Sequence, residues 1–454
     1  VRKFKSGFSL EKTGRLAHCC ALNGESTMST PLLVLIPMSL FGLIQGTQAA
    51  YAAPAEAPHL ELELESRDYQ RLLESHAGHI QPRVEIPGIT ADLSDLLALG
   101  KRNLEFLDHL NSKRPDAEKL GLTSPALQPG YPIEAPKESS PKILRDKKTA
   151  LQKDIPSELG KILFEGQAFP DALTISDDDY LNWARKVDGI YQGASRWKLQ
   201  EPYLESYKSR RTKDIRGYYF LTREANWRET VGRWTSLPTA EKSRLRPWIA
   251  GVCLNSTLDS SECSSQISEA ERTSTGMLTL VDRHFPRAQT LWNSYFKLGG
   301  RRTDVNWRRD NPMLATLPFK DPRDGTVRKW LLDNIEDEWR LDGWSLKLDF
   351  RSSAAGWSTA EVVFVPGATP HVNGLGGNTI TMDANQPLEE YGTRWTIRHE
   401  FGHVLGLPDC YVEFFDEDRD AMISYQLDLD NLMCSRRGKL QPIHYNELKR
   451  AYLK

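Results

Sequence analysis

The sequence predicts an α/β fold class, with a small-sheet C-terminal domain behind a mostly helical N-terminal region. Three observations carry this. Residues 326–339 (TVRKWLLDNIEDEW) bring apolar side chains round at helical spacing, whereas 345–350 (SLKLDF) and 378–382 (NTITM) alternate like strands with one buried face. Residues 360–365 (AEVVFV) form an apolar run of strand length, so helix, strand, strand, strand and helix succeed one another, as in a layered α/β arrangement. The last of these helices, 394–405, contains His399-Glu400-Phe401-Gly402-His403.

The 454 residues are enough for two or three domains. Residues 1–52 read as a leader. Within it, 28–52 has the pattern of a signal peptide: an apolar run at 31–44 and a cleavage pattern at Ala50-Tyr51-Ala52. Gln45, Thr47 and Gln48 interrupt that run short of a bilayer span, so no span is expected in the mature chain. Export to an extracellular or periplasmic space is the expectation. Fifty-nine basic against 61 acidic residues argues against nucleic acid or an anionic membrane as partner.

Beyond the leader four cysteines remain, Cys253, Cys263, Cys410 and Cys434, an even number that suits disulfides in an exported chain. Of three pairings, the local one, Cys253–Cys263 with Cys410–Cys434, is expected; four free thiols are the alternative. Residues 53–156 read as a propeptide or accessory region. All twelve tryptophans lie between Trp183 and Trp395, which leaves this region little large aromatic core. It contains a helical stretch at 94–110 and closes with a Pro-, Lys- and Ser-rich segment, 124–156, that reads as a linker and a place for activating cleavage. Residues 157–270 read as helical. Ser176 before three aspartates starts one helix, with Tyr180, Trp183 and Val187 on one face, and Thr239 could cap the next. Residues 271–454 form the expected catalytic domain.

The run 399–409, HEFGHVLGLPD, bears the chemistry. His399 and His403, four apart, stand on one helix face, where one tetrahedral Zn²⁺ can take both imidazoles. Glu400 adjoins the first and can act as general base on a metal-bound water. Gly406 permits a sharp turn and Pro408 forbids helix continuation, so Asp409 returns as third ligand. Three protein ligands leave the open position of a catalytic site. The bland alternative is a surface helix with two solvated histidines. A further reading uses Glu413 as ligand instead of Asp409, and Cys410 is a rival if reduced. Asp416, Glu417, Asp418 and Asp420 could bind Ca²⁺, or form a solvated acidic loop. His371 reads as structural or exposed.

This stretch resembles the metzincin clan of zinc endopeptidases, and within it the snapalysin family, over roughly residues 325–454. The matching residues are Gly377–Met382 with Asp383, the run 399–409 with Tyr411, and Asn431-Leu432-Met433. The resemblance implies a twisted small sheet, an active-site helix and a Met-turn with Met433 beneath the metal. It also implies His399, His403 and Asp409 as zinc ligands and Glu400 as base. The expected activity is secreted, zinc-dependent hydrolysis of internal bonds in protein or peptide substrates. The strand near 378–382 is expected to pair with an extended substrate, and Tyr411, Tyr425 and Tyr445 are candidates to stabilise the transition state. The competing class is an exported, non-enzymatic metal-binding or adhesion protein on a protease fold.

Overall fold

Two parallel strands, Asn311–Lys320 and Trp344–Arg351, run in register from Leu314 opposite Ser345 to Lys320 opposite Arg351. The helix Gly325–Leu331 joins them, making a βαβ unit. Asp324 starts that helix by accepting from the backbone N–H of Thr326 and Val327. The computed structural model describes Leu60, Leu62 and residues 64–77, 92–122, 136–352 and 359–454. The leader and signal-peptide readings therefore lie outside the described residues. Among those described, no helix is long and apolar enough to cross a membrane.

A bridge between Phe319 and Ala360 stitches the βαβ sheet to a second one. There the Lys320 N–H donates to the Ala360 carbonyl at 2.7 Å, and the Ala360 N–H donates to that of Pro318 at 3.0 Å. In the second sheet Glu361–Val365 lies parallel to Thr379–Asp383, and His371–Val372 lies antiparallel on the other side. The molecule is thus mixed α/β, with helices covering small sheets. The helix Tyr391–Val404 packs on Thr379–Asp383 and starts three residues before the expected 394.

Of the strands hidden in the sequence, three are long. Asn311–Lys320 contains Pro312 and Pro318, which speak against a strand, yet it pairs along its length. Tyr411–Asp416 and Ala421–Gln426 form a hairpin buried on both faces, so their residues do not alternate apolar with polar.

The N-terminal region is built on the helix Asp177–Gln200. Ser176 caps it by accepting from the Asp179 N–H, as its sequence suggests. The helices Ser94–Ser112 and Pro141–Asp154 pack on it over a core that also takes Phe415 and Met422 of the C-terminal hairpin, and Ser66–Ala77 packs on it through a separate small cluster of Leu60, Tyr69, Leu72 and Leu199. Part of the segment read as a linker is therefore ordered structure. Lys137–Ser139 pairs with Met422–Ser424, and Pro141–Asp154 is a helix capped by Ser140, with Leu144 and Leu151 buried. Its exposed lysines mask that two-residue apolar stripe; 123–135 lie outside the described residues. Core contacts cross both boundaries read at 156/157 and 270/271. Both expected cysteine pairs are at disulfide distance, with Cα separations of 5.8 Å for Cys253–Cys263 and 4.6 Å for Cys410–Cys434.

One buried ion pair joins distant stretches. The Arg196 Nε donates to Glu413 Oε1 at 2.7 Å, and Gln200 Nε2 donates to the same oxygen at 2.6 Å. The remaining Arg196 nitrogens reach Tyr69 Oη at 2.9 Å and the Leu60 carbonyl at 3.2 Å. Removing one partner strands a charge away from water. Arg196→Met should cost about 3–5 kcal/mol, and Arg196→Met with Glu413→Leu should recover most of that loss. Urea unfolding of the three proteins checks this; equal stability of the single and double variants would contradict it.

Candidate metal centre

The two histidines stand one turn apart on Tyr391–Val404, their rings 4.7 Å apart at 90°. Each is oriented by a backbone carbonyl. His399 Nδ1 lies 3.1 Å from the Leu432 carbonyl oxygen, and His403 Nδ1 lies 2.8 Å from that of Leu407. A carbonyl only accepts, so both Nδ1 atoms carry the proton and both Nε2 atoms present a lone pair. That is the tautomer a metal ligand needs.

The helix end supplies the next group. Gly406 adopts φ +92°, a left-handed conformation open to glycine at little cost, and a Cβ there would collide with the Gly300 carbonyl. The Gly406 N–H donates to His403 O at 2.9 Å and the Leu407 N–H to Gly402 O at 2.9 Å, closing the helix. The same turn places the Leu407 carbonyl on His403 and sends the chain back. Asp409 Oδ1 consequently lies 3.2 Å from His399 Nε2 and 3.3 Å from His403 Nε2.

Glu400 completes the cluster. His399, Glu400 and His403 form a buried group that could hold a metal ion. His399 and Glu400 are 0 % exposed, whereas the Asp409 side chain is 28 % exposed, so the cluster opens on the Asp409 side. Both Glu400 carboxylate oxygens are buried and accept no hydrogen bond from the protein. A buried carboxylate without a protein donor is costly and demands a partner of another kind.

Met433 lies against the helix between the two histidines. A Cβ on Gly402 would overlap the Met433 sulfur, so only glycine lets the turn approach this closely. Asn431 holds the turn, its Oδ1 accepting from the Met433 N–H at 2.8 Å and from His444 Nε2 at 2.8 Å. The Gln441 N–H donates to His444 Nδ1 at 2.9 Å, which fixes the neutral tautomer. The Cys410 N–H donates to the Met433 carbonyl at 3.1 Å, so the segment after Asp409 and the methionine turn are fastened by backbone as well as by Cys410–Cys434.

Other sequence candidates fall elsewhere. Glu413 is the counter-ion of Arg196 and stands apart from the cluster, which removes it as rival to Asp409. Cys410 lies at disulfide distance from Cys434, so it is no thiolate rival. The acidic run forms the turn between the two hairpin strands, where Lys208 pairs with Glu417 and Arg211 with Asp416 and Asp418. Among the described residues these acidic groups are not gathered into a cluster that could hold a metal ion, and three of their carboxylates pair with basic side chains. Tyr425 is buried and donates to Asp214 at 2.8 Å, and Tyr445 packs on Trp307 and Trp344. Tyr411, half-buried two residues after Asp409, stays the candidate nearest the site in sequence. His371 is exposed.

The strand expected to receive substrate needs correction. Thr379–Asp383 has neighbours on both sides, because the glycine-containing turn after His371–Val372 folds those residues back onto Ile380 and Thr381. Among the described residues the outer edge belongs to His371–Val372. Sequence reading also missed the supporting residues Trp395 and His444, and the bonds by which Asn431 holds its turn. Trp395 was legible, since it precedes His399 by one helical turn and its ring lies 4.8 Å from the imidazole. Asn431 and His444 meet only through the fold.

Burial holds the His444 pKa down, to about 4 against 6.5. Its folded pKa lies below the unfolded one, so acid favours unfolding. The contribution is complete above about pH 6.5 and is lost as pH falls towards 4, on the order of 3 kcal/mol in all. The unfolding free energy of His444→Gln should therefore fall less steeply across this window than that of the parent. Urea titrations at several pH values measure the difference, and parallel curves would refute it.

No family model matches the chain, and comparisons with characterised proteins and with solved structures find no match either.

Proposed function

We propose that the chain is a zinc-dependent endopeptidase of the metzincin type, exported from the cell, that hydrolyses internal peptide bonds. One observation carries the reading: two lone-pair-bearing imidazole nitrogens converge on one Asp409 oxygen, beside a buried Glu400 with no protein donor. The separations of 3.2 and 3.3 Å suit three donors of one tetrahedral ion, for which ligand distances of about 2.0–2.2 Å imply donor spacings near 3.3 Å. Two nitrogens and one carboxylate oxygen make a set that favours zinc over calcium or magnesium. Met433 under the helix supports the family resemblance.

His399, His403 and Asp409 would hold the ion, which supplies Lewis acidity that lowers the pKa of a water to about 7 and polarises the scissile carbonyl. Glu400 accepts a proton from the attacking water at its carboxylate and delivers it to the departing amide nitrogen. Its burial keeps this exchange away from bulk water and strengthens the electrostatics. The Leu432 and Leu407 carbonyls hold both imidazoles in the ligating tautomer throughout. An extended substrate can add to the outer edge of His371–Val372, main chain giving affinity and side-chain pockets giving selectivity.

A non-enzymatic metal protein has no use for a carboxylate placed like that of Glu400. Glu400→Gln should retain one equivalent of zinc and lose at least about a hundredfold in casein hydrolysis. Asp409→Ala should lose most of its zinc, whereas Glu413→Gln should keep it. Metal analysis and cleavage assays before and after chelation test these together; full activity in Glu400→Gln would sink the mechanism.

A further inference from the structure

The N-terminal helix Ser66–Ala77 reaches the metal cluster through a chain of contacts. Asp68 accepts from Arg436 Nη1 at 2.9 Å, and both side chains are buried. The Arg436 guanidinium carbon lies 5.8 Å from the Trp395 ring centroid, and the same ring packs 4.8 Å from that of His399. Arg436 is two residues beyond Cys434, and its carbonyl accepts from Tyr391 Oη at 2.8 Å in the first turn of the ligand helix. A second arm acts at the helix entry, where Arg71 donates to both oxygens of Glu390, the residue before Tyr391, at 2.9 and 2.8 Å.

The sign of these charges matters. Arg436 is a buried cation one indole away from a ligand of a divalent cation. Unneutralised, it would oppose metal binding through a low-dielectric interior. Asp68 cancels it. Arg71, the other cation near Asp68, is taken up by Glu390.

We propose that the helix Ser66–Ala77 is a built-in positioning element for the metal centre, with Asp68 neutralising Arg436 so that the site keeps its metal. The assignment rests on the metal-binding reading of His399, His403 and Asp409. It makes this segment a permanent part of the working protein, in contrast to a detachable inhibitory cover. Asp68 and Arg436 are positioning residues, since neither touches the ion.

The test is zinc affinity of the full chain, measured by competition with a chromophoric chelator at neutral pH. Asp68→Asn keeps the shape and removes the charge, and should weaken zinc binding about tenfold. Asp68→Glu should restore most of the affinity. Asp68→Asn combined with Arg436→Met removes both charges and should bind within about threefold of the parent, a recovery that loss of packing alone would not give. Unchanged affinity in Asp68→Asn, or equal weakening in the single and double variants, overturns the proposal. A parent chain that binds no zinc overturns the metal reading and this inference with it, and that result is read before any variant is compared.

Discussion

The reversal of the chain at Gly406 is the constraint on which the site depends. A helix can place two histidines on one face unaided, but a third donor must come from outside its cylinder. The left-handed turn returns Asp409 within three residues and at the same time turns the Leu407 carbonyl onto His403. The arrival of the Asp409 carboxylate and the orientation of His403 therefore come from one backbone event. A side chain at 406 would meet the Gly300 carbonyl and lose both.

The opposite flank is built by close packing. Met433 rests on the bare backbone of Gly402, and the adjoining Leu432 carbonyl orients His399. Asn431 and neutral His444 hold this turn in place from the last helix, Pro442–Tyr452. Each imidazole is thus fixed by a different turn, and the two turns are tied by the Cys410 N–H to the Met433 carbonyl. The buried polar bonds fix geometry more than they add stability, because each replaces a comparable bond to water.

Sequence legibility followed the range of the interactions. The motif helix, the strand Trp344–Arg351 and the Ser176 cap depend on neighbours within a few residues, and their patterns stand in the chain. The placing of His399 and His403 one turn apart was legible for the same reason, as was the return of Asp409 towards them, which needs only Gly406 and Pro408. The hairpin at 411–426 was not legible, since burial on both faces erases alternation. The edge role of His371–Val372 depends on how a glycine-containing turn folds back, which spacing does not encode. Glu413 was ambiguous beside Asp409 until Arg196, 217 residues away, took its charge. The run 124–156 misled because its composition is that of a linker, although Ser140 followed by Pro141 is a helix start.

The pairing of Asp68 with Arg436 spans 368 residues, and that of Lys137–Ser139 with Met422–Ser424 nearly as great a length of chain. Such contacts are topologically distant, and closing long loops before reward slows folding. During synthesis Asp68 and Lys137–Ser139 emerge well before Arg436 and Met422–Ser424, the partners that receive them. Part of their docking surface, beyond the helix Asp177–Gln200, forms only once the hairpin at 411–426 and the methionine turn have followed. The architecture therefore orders events in time: the cluster of His399, Glu400 and His403 gains its full surroundings only after residues hundreds of positions apart have come together.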